Sequence, residues 1–182
     1  MALEDILREN RDRIVRKWFE LILQSYPADG RNHFMKEANR FANPVGSSLR
    51  EGVKGLFDVL AAGADLESEE VCAILDTMVR IRAVQEFSAA EAVEFTLLLK
   101  EIVRKTVREN VQEQWTVDEL LTFEARIDRV TLLAFNIYMQ CREKIYELRA
   151  NELRNRTSRI LQRACQVWEK RGECLPEELR NE

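Results

Sequence analysis

A chain of 182 residues and 21.3 kDa is the size of one ordinary domain, long enough to bury a sizeable core. Hydrophobic residues make up 46% and charged residues 33%, which excludes a disordered chain, and six glycines with three prolines are too little punctuation for a turn-rich all-β fold. The formal net charge is only −4; four scattered cysteines without a close pair exclude a disulfide scaffold or zinc cluster, and one histidine leaves little for histidine-based catalysis.

In chain order, the first predicted helix runs from about Leu3 to Ser25, with Leu3, Ile6, Leu7, Ile14, Trp18, Leu21 and Ile22 on one face. Tyr26-Pro27 ends it, because the residue before proline is pushed out of the helical region. A short helical turn is expected between Asn32 and Phe41. Asn43-Pro44 reads as an N-cap followed by the first helical residue, and the helix it opens turns Val45, Leu49, Val53, Leu56 and Leu60 inward before ending near Gly63. Ser68 caps the next helix, with Val71, Leu75, Met78 and Ile81 facing the core. Ser88-Ala89-Ala90-Glu91 is a capping box that opens a helix through Phe95, Leu98, Leu99, Ile102 and Val103. Thr116-Val117-Asp118-Glu119 is a second capping box, and neither glycine nor proline follows it before Gly172. The fold class is therefore all-α, one helical domain with a long C-terminal helix. Its division is placed at residues 1–155 for the domain and 156–182 for a basic helical extension and short tail.

No apolar stretch approaches the roughly 18 residues of a membrane-spanning helix. The start, Met1-Ala2-Leu3-Glu4-Asp5, carries no export pattern, so a cytoplasmic location and no membrane span are expected. Little in the chain suits catalysis. His33 is expected in a loop, Cys72 and Cys141 fall on or near apolar stripes, and Cys165 and Cys174 are expected to be more exposed. No glycine loop could cradle a phosphate, no nucleophile has a base, and the acidic residues are spread over every helix. The expectation is a protein that is not an enzyme, with no cofactor and no metal. Gly46, Gly52 and Gly55 share one helix, where glycine costs about 1 kcal/mol each relative to alanine; close helix packing explains them better than a pocket wall.

Arg142 to Arg163 holds seven basic and three acidic residues, a net +4 within a chain of −4. Such a basic helix could meet nucleic acid or an acidic protein surface; a solvated face explains the charge better, and neither aromatic interleaving nor a recognition motif supports nucleic acid. The long helix also carries a seam: Leu120, Phe123, Ile127, Val130, Ala134, Ile137 and Cys141 alternate by three and four. The step from Cys141 to Ile145 is four again, then three to Leu148, a stutter at which supercoiling relaxes. From Val117 to Leu148 alone is about 48 Å at 1.5 Å per residue, longer than a domain of this size is wide. Ile137, Cys141, Ile145 and Leu148 are accordingly the candidate dimer and partner residues.

Several segments carry a family likeness: Leu7-Arg8-Glu9-Asn10-Arg11-Asp12-Arg13-Ile14; Arg40-Phe41-Ala42-Asn43-Pro44-Val45-Gly46; Leu49-Arg50-Glu51-Gly52; Arg80-Ile81-Arg82-Ala83-Val84-Gln85; and Glu124-Ala125-Arg126-Ile127-Asp128-Arg129 on through Tyr138 to Cys141-Arg142-Glu143-Lys144-Ile145-Tyr146. Over residues 3 to 155 the chain resembles the N-terminal domain of RsbRD-type RsbT co-antagonists, the sensory halves of bacterial stressosome proteins. That resemblance implies a globin-like helical domain without haem that dimerises, its last helix leading toward an output domain, in those proteins a phosphorylated STAS domain. Ten residues follow Gly172, too few for STAS, so a stand-alone version is expected. The expected function is a non-catalytic sensory and regulatory module of stress signalling: a homodimer acting through a regulatory protein partner, open to a small-molecule ligand, without nucleic acid. The alternative is a haem or small-ligand-binding globin-like sensor, for which Cys72 and Met78 are the only soft axial candidates in mid-chain.

Overall fold

The capping signals of the sequence become helix boundaries in the computed structural model, which describes residues 3–27, 31, 34, 42–110 and 115–171, the last four without side chains. Within those residues the regular structure is entirely helical. His33, Cys174 and most of the expected short helix lie outside the described residues; Arg31 and Phe34, on either side of that gap, are helical.

The first segment is two helices rather than one, α1 (Leu3–Glu9) and α2 (Arg11–Gln24). Asn10 makes the break. Its side-chain Nδ2 donates to the Ile6 carbonyl at 2.9 Å, the same oxygen its backbone N–H takes at 3.1 Å. A side chain that competes for the helical ladder in this way disfavours its smooth continuation. Both pieces still bury one face, from Leu3, Ile6 and Leu7 to Trp18, Ile22 and Leu23.

Helix α3 (Pro44–Ala61) begins as the Asn-Pro pair requires. Asn43 Oδ1 accepts the Gly46 N–H at 2.8 Å, while its Nδ2 donates to the Phe34 carbonyl at 3.3 Å, so one buried side chain caps the helix and holds the preceding segment. Asn43→Ala should therefore cost about 1–2 kcal/mol, the upper part of the capping range. Asn43→Ser keeps the cap oxygen but loses the second bond, and its urea midpoint should fall between those of the parent and the alanine variant. Equal losses for the two would remove capping as the reason for this residue. Beyond the helix, Gly63 takes φ +66°, a left-handed conformation in which glycine has no Cβ penalty.

Helix α4 (Glu69–Val84) starts at Ser68, whose Oγ accepts the Val71 N–H. It lies close against α3: a Cβ placed on Gly52 would come 2.7 Å from Met78 Sδ, and one on Gly55 2.9 Å from Ile74 Cδ1. Close helix packing is thus what these glycines serve. Cys72 departs from expectation. It is exposed, because it follows Val71 by about 100° around the helix and so leaves the buried row of Val71, Leu75, Met78 and Val79.

Helix α5 (Ala89–Glu109) opens on the expected capping box, with Ser88 Oγ accepting the Glu91 N–H and the Ser88 N–H donating to Glu91 Oε2 at 2.9 Å. Helix α6 (Val117–Arg171) opens on the second box, where the Thr116 N–H donates to Glu119 Oε2 at 2.7 Å. The chain forms two compact units, Met1–Cys141 and Arg142–Glu182, where the sequence reading places the division near residue 155. In the first unit Phe123, Ile127, Val130, Ala134 and Tyr138 of α6 are buried in the common core. Arg104 fixes α5 to α6 by gripping both Glu124 oxygens, at 2.6 and 2.7 Å.

Four carboxylates are held below their ordinary range by such bonds: Glu91 by Ser88, Glu119 by Thr116, Glu109 by Arg13 and Glu124 by Arg104. A folded-state pKa below the unfolded one contributes stability above the unfolded value, near 4.5 for Glu, and loses it as the pH falls through the folded value. Melting temperature should thus drop steadily on acidification from about pH 5. A Glu91→Gln, Glu124→Gln variant should show a shallower drop in the same titration.

Candidate functional site

The first unit contains a buried cation. Arg82, on the last turn of α4, is 1% exposed. Its Nη1 donates to the Glu91 carbonyl at 2.8 Å and its Nη2 to Ser25 Oγ at 3.2 Å. Three ring centroids surround the guanidinium carbon, Phe87 at 5.1 Å, Phe95 at 5.2 Å and Tyr26 at 5.4 Å. Tyr26 in turn meets Phe34 edge-on and Phe87 at a tilt. No carboxylate forms an ion pair with Arg82 among the described residues.

Burial pushes the Arg82 pKa down and the Tyr26 phenol up, each partly countered by the other. A guanidinium begins so far above neutrality that it stays charged, so the ring faces and the two acceptors must replace water. Arg82 Nε and the Tyr26 hydroxyl remain buried without a hydrogen-bond partner among the described residues.

The surrounding corner is tied at further points. Glu86 takes φ 63°, unusual outside glycine, which turns the chain sharply between α4 and α5. The Phe87 carbonyl accepts Tyr138 Oη of α6 at 2.6 Å, and the Phe95 carbonyl accepts Trp18 Nε1 of α2 at 2.6 Å. One corner therefore links α2, α4, α5 and α6. Sequence reasoning quoted Arg82 only as part of a likeness. An arginine in the row of Val71, Leu75 and Met78 was the available signal that it points inward.

Two of the stretches that carry the family likeness, Asn43-Pro44-Val45-Gly46 and Arg80-Ile81-Arg82-Ala83-Val84-Gln85, meet along another face of α4. Pro44, Val45 and Ser48 face Arg80, Ile81 and Val84 across an open groove of about 660 Å³. Arg80 is engaged by Asp76 of its own helix at 2.8 Å, and Val84 is exposed.

The predicted partner residues divide between the two units. Ile137 and Cys141 are half-buried and pack against the core of the first unit. Ile145 is half-buried and Leu148 is 63% exposed, both in the second unit. There Arg142 lies over the Tyr146 ring, 4.9 Å from its centroid, and donates to its hydroxyl at 2.8 Å. Cys165 is half-buried rather than exposed.

Among the described residues no group of three or more His, Cys, Asp and Glu side chains is arranged to hold a metal ion, and no helix is long and apolar enough to cross a membrane. Of the two soft mid-chain candidates for a haem iron, Cys72 is exposed and Met78 is fully buried, its thioether beside Gly52.

A family model described as the RsbT co-antagonist protein rsbRD N-terminal domain matches residues 12–153. Neither a curated protein nor a solved structure matches the chain.

Proposed function

The chain belongs to the RsbRD N-terminal domain family, and from that premise we propose that it is a non-catalytic, cytoplasmic module that senses a signal and passes it on by protein–protein contact, as a homodimer. The family match covers most of the chain and is the observation that carries this reading; the family suggests stress-signalling regulation. The second unit supports the contact mechanism, since Tyr146, Leu148, Leu153, Ile160 and Leu161 are all exposed there, more apolar surface than a solvated helix needs. A globin-like arrangement without haem belongs to the same proposal. Light scattering tests the dimer: a mass near 21 kDa at tens of micromolar would refute it.

The haem-binding alternative is weakened by the placement of Cys72 and Met78. Protein purified from cells supplied with haem should show no Soret absorption scaling with protein concentration. A band that does scale would transfer the proposal to the haem or small-ligand sensor.

A further inference from the structure

Within the second unit the exposed side chains follow a second pattern, distinct from the one that contains Ile145 and Leu148. Tyr146, Leu153, Ile160 and Val167 recur at intervals of seven and are 55%, 63%, 66% and 48% exposed. Arg142, Arg149, Arg156 and Arg163 also recur at intervals of seven, each four residues before one of those apolar side chains. In heptad terms every a position is apolar and every d position is arginine. A strict seven-residue repeat drifts around a straight helix with 3.6 residues per turn but stays in register along a supercoiled partner. Ala150, Thr157 and Ala164 occupy the neighbouring e positions, small enough for another helix to come close.

The arginines decide what that helix is. A parallel second copy of this chain would set arginine against arginine at four successive layers, with like charges desolvated at each. An antiparallel copy would set each arginine against an apolar side chain. The facing helix must instead offer carboxylates at one seam position and apolar side chains at the other. Resting on the reading that the protein signals by protein contact, we infer that the Tyr146–Val167 face of α6 docks an acidic amphipathic helix of a different protein, with heptad-spaced apolar residues and Glu or Asp opposite the arginines. A membrane surface would call for a broader, bulkier apolar face, and nucleic acid would have no use for the apolar row. Leu148 lies about 200° around the helix from Tyr146, on the far side from the docking face, whereas Ile145 sits beside the arginine row, four residues before Arg149, so the dimer proposed above and this docking face adjoin along one edge of α6.

The test uses the full chain and labelled four-heptad peptides followed by fluorescence anisotropy. Two peptides carry leucine and glutamate at the seam, one in the order for parallel pairing and one for antiparallel; two controls replace the glutamates with lysine. At least one acidic peptide should bind, more weakly as salt is raised, and its lysine control should not. Arg149→Glu with Arg156→Glu should weaken the acidic peptide by about tenfold or more and favour the lysine peptide, an exchange that only charge pairing across the seam predicts. Leu153→Asp with Ile160→Asp should lose the acidic peptide while keeping the helical circular dichroism. Binding of no peptide, equal binding of acidic and lysine peptides, or binding only of phosphatidylserine-rich vesicles or a DNA duplex would overturn the inference. Light scattering on the same samples separates the two readings: a dimer that ignores the peptides defeats this one alone, whereas a monomer that binds them defeats the dimer alone.

Discussion

Replacing Ile145 and Leu148 together with glutamate should convert the protein from a dimer to a folded monomer near 21 kDa, with most of its helical circular dichroism retained. These two residues continue the three-and-four seam of α6 past Cys141, the point at which the seam stops serving the core of the first unit. Ile127, Val130 and Ala134 are fully buried in that core, so charges placed there would unfold the domain and leave the dimer untested. Leu148 is 63% exposed in the single chain, and a glutamate there costs nothing until a second chain covers it. Once covered, an unpaired carboxylate costs several kcal/mol, enough to shift a micromolar association by about two orders of magnitude or more. A double variant that stays dimeric and equally stable would put the interface elsewhere. On the first helical segment Ile14 is fully buried and Leu21 half-buried, so the surface around Leu21 and the groove between α3 and α4 are the next places to look.

The helical class and most boundaries were legible because the signals are local. Asn43, Ser68, Ser88 and Thr116 each bring a side-chain oxygen to the first turn of the helix that follows, a bond that needs only three residues of context. Gly52 and Gly55 likewise announced a close approach, although not that Met78 and Ile74 would fill it. The break at Asn10 was missed because periodicity runs straight through it; what stops the helix there is a side chain choosing a backbone acceptor. Cys72 shows the same weakness from the other side, since one position around a helix separates a buried residue from an exposed one. Of the site, the seam residues could be read from spacing, but their division between two units could not. Arg82 was illegible as a site because its partners, Ser25, Tyr26, Phe87, Glu91 and Phe95, come from three separate stretches that only the fold assembles.

Substitution of Arg82 distinguishes a residue kept for stability from one kept for what it specifies. Arg82→Ala removes a guanidinium from among three rings, takes one donor each from the Glu91 carbonyl and from the Ser25 hydroxyl, which keeps its bond to the Ile22 carbonyl, and leaves a cavity. Each lost bond from a charged donor costs about 1.5–3 kcal/mol and the void adds to that, so a total of about 4 kcal/mol in urea unfolding is expected, a large share of a typical domain's 5–15 kcal/mol. Arg82→Met fills most of the same volume and carries no charge to desolvate. An apolar residue in place of a buried ionic group is often neutral or stabilising, so this variant should lose no more than about 1–2 kcal/mol. Arg82→Lys keeps the charge, but a single ammonium cannot reach both acceptors or lie flat against the rings, and it should fare worse than methionine. If methionine proves as costly as alanine, the charge itself holds the corner together through Tyr26, Phe87 and Phe95. If methionine instead proves at least as stable as the parent, the arginine is kept at some cost in stability. Its role is then to fix the geometry of a corner at which α2, α4, α5 and α6 meet, where a shift of one helix would be felt by the other three.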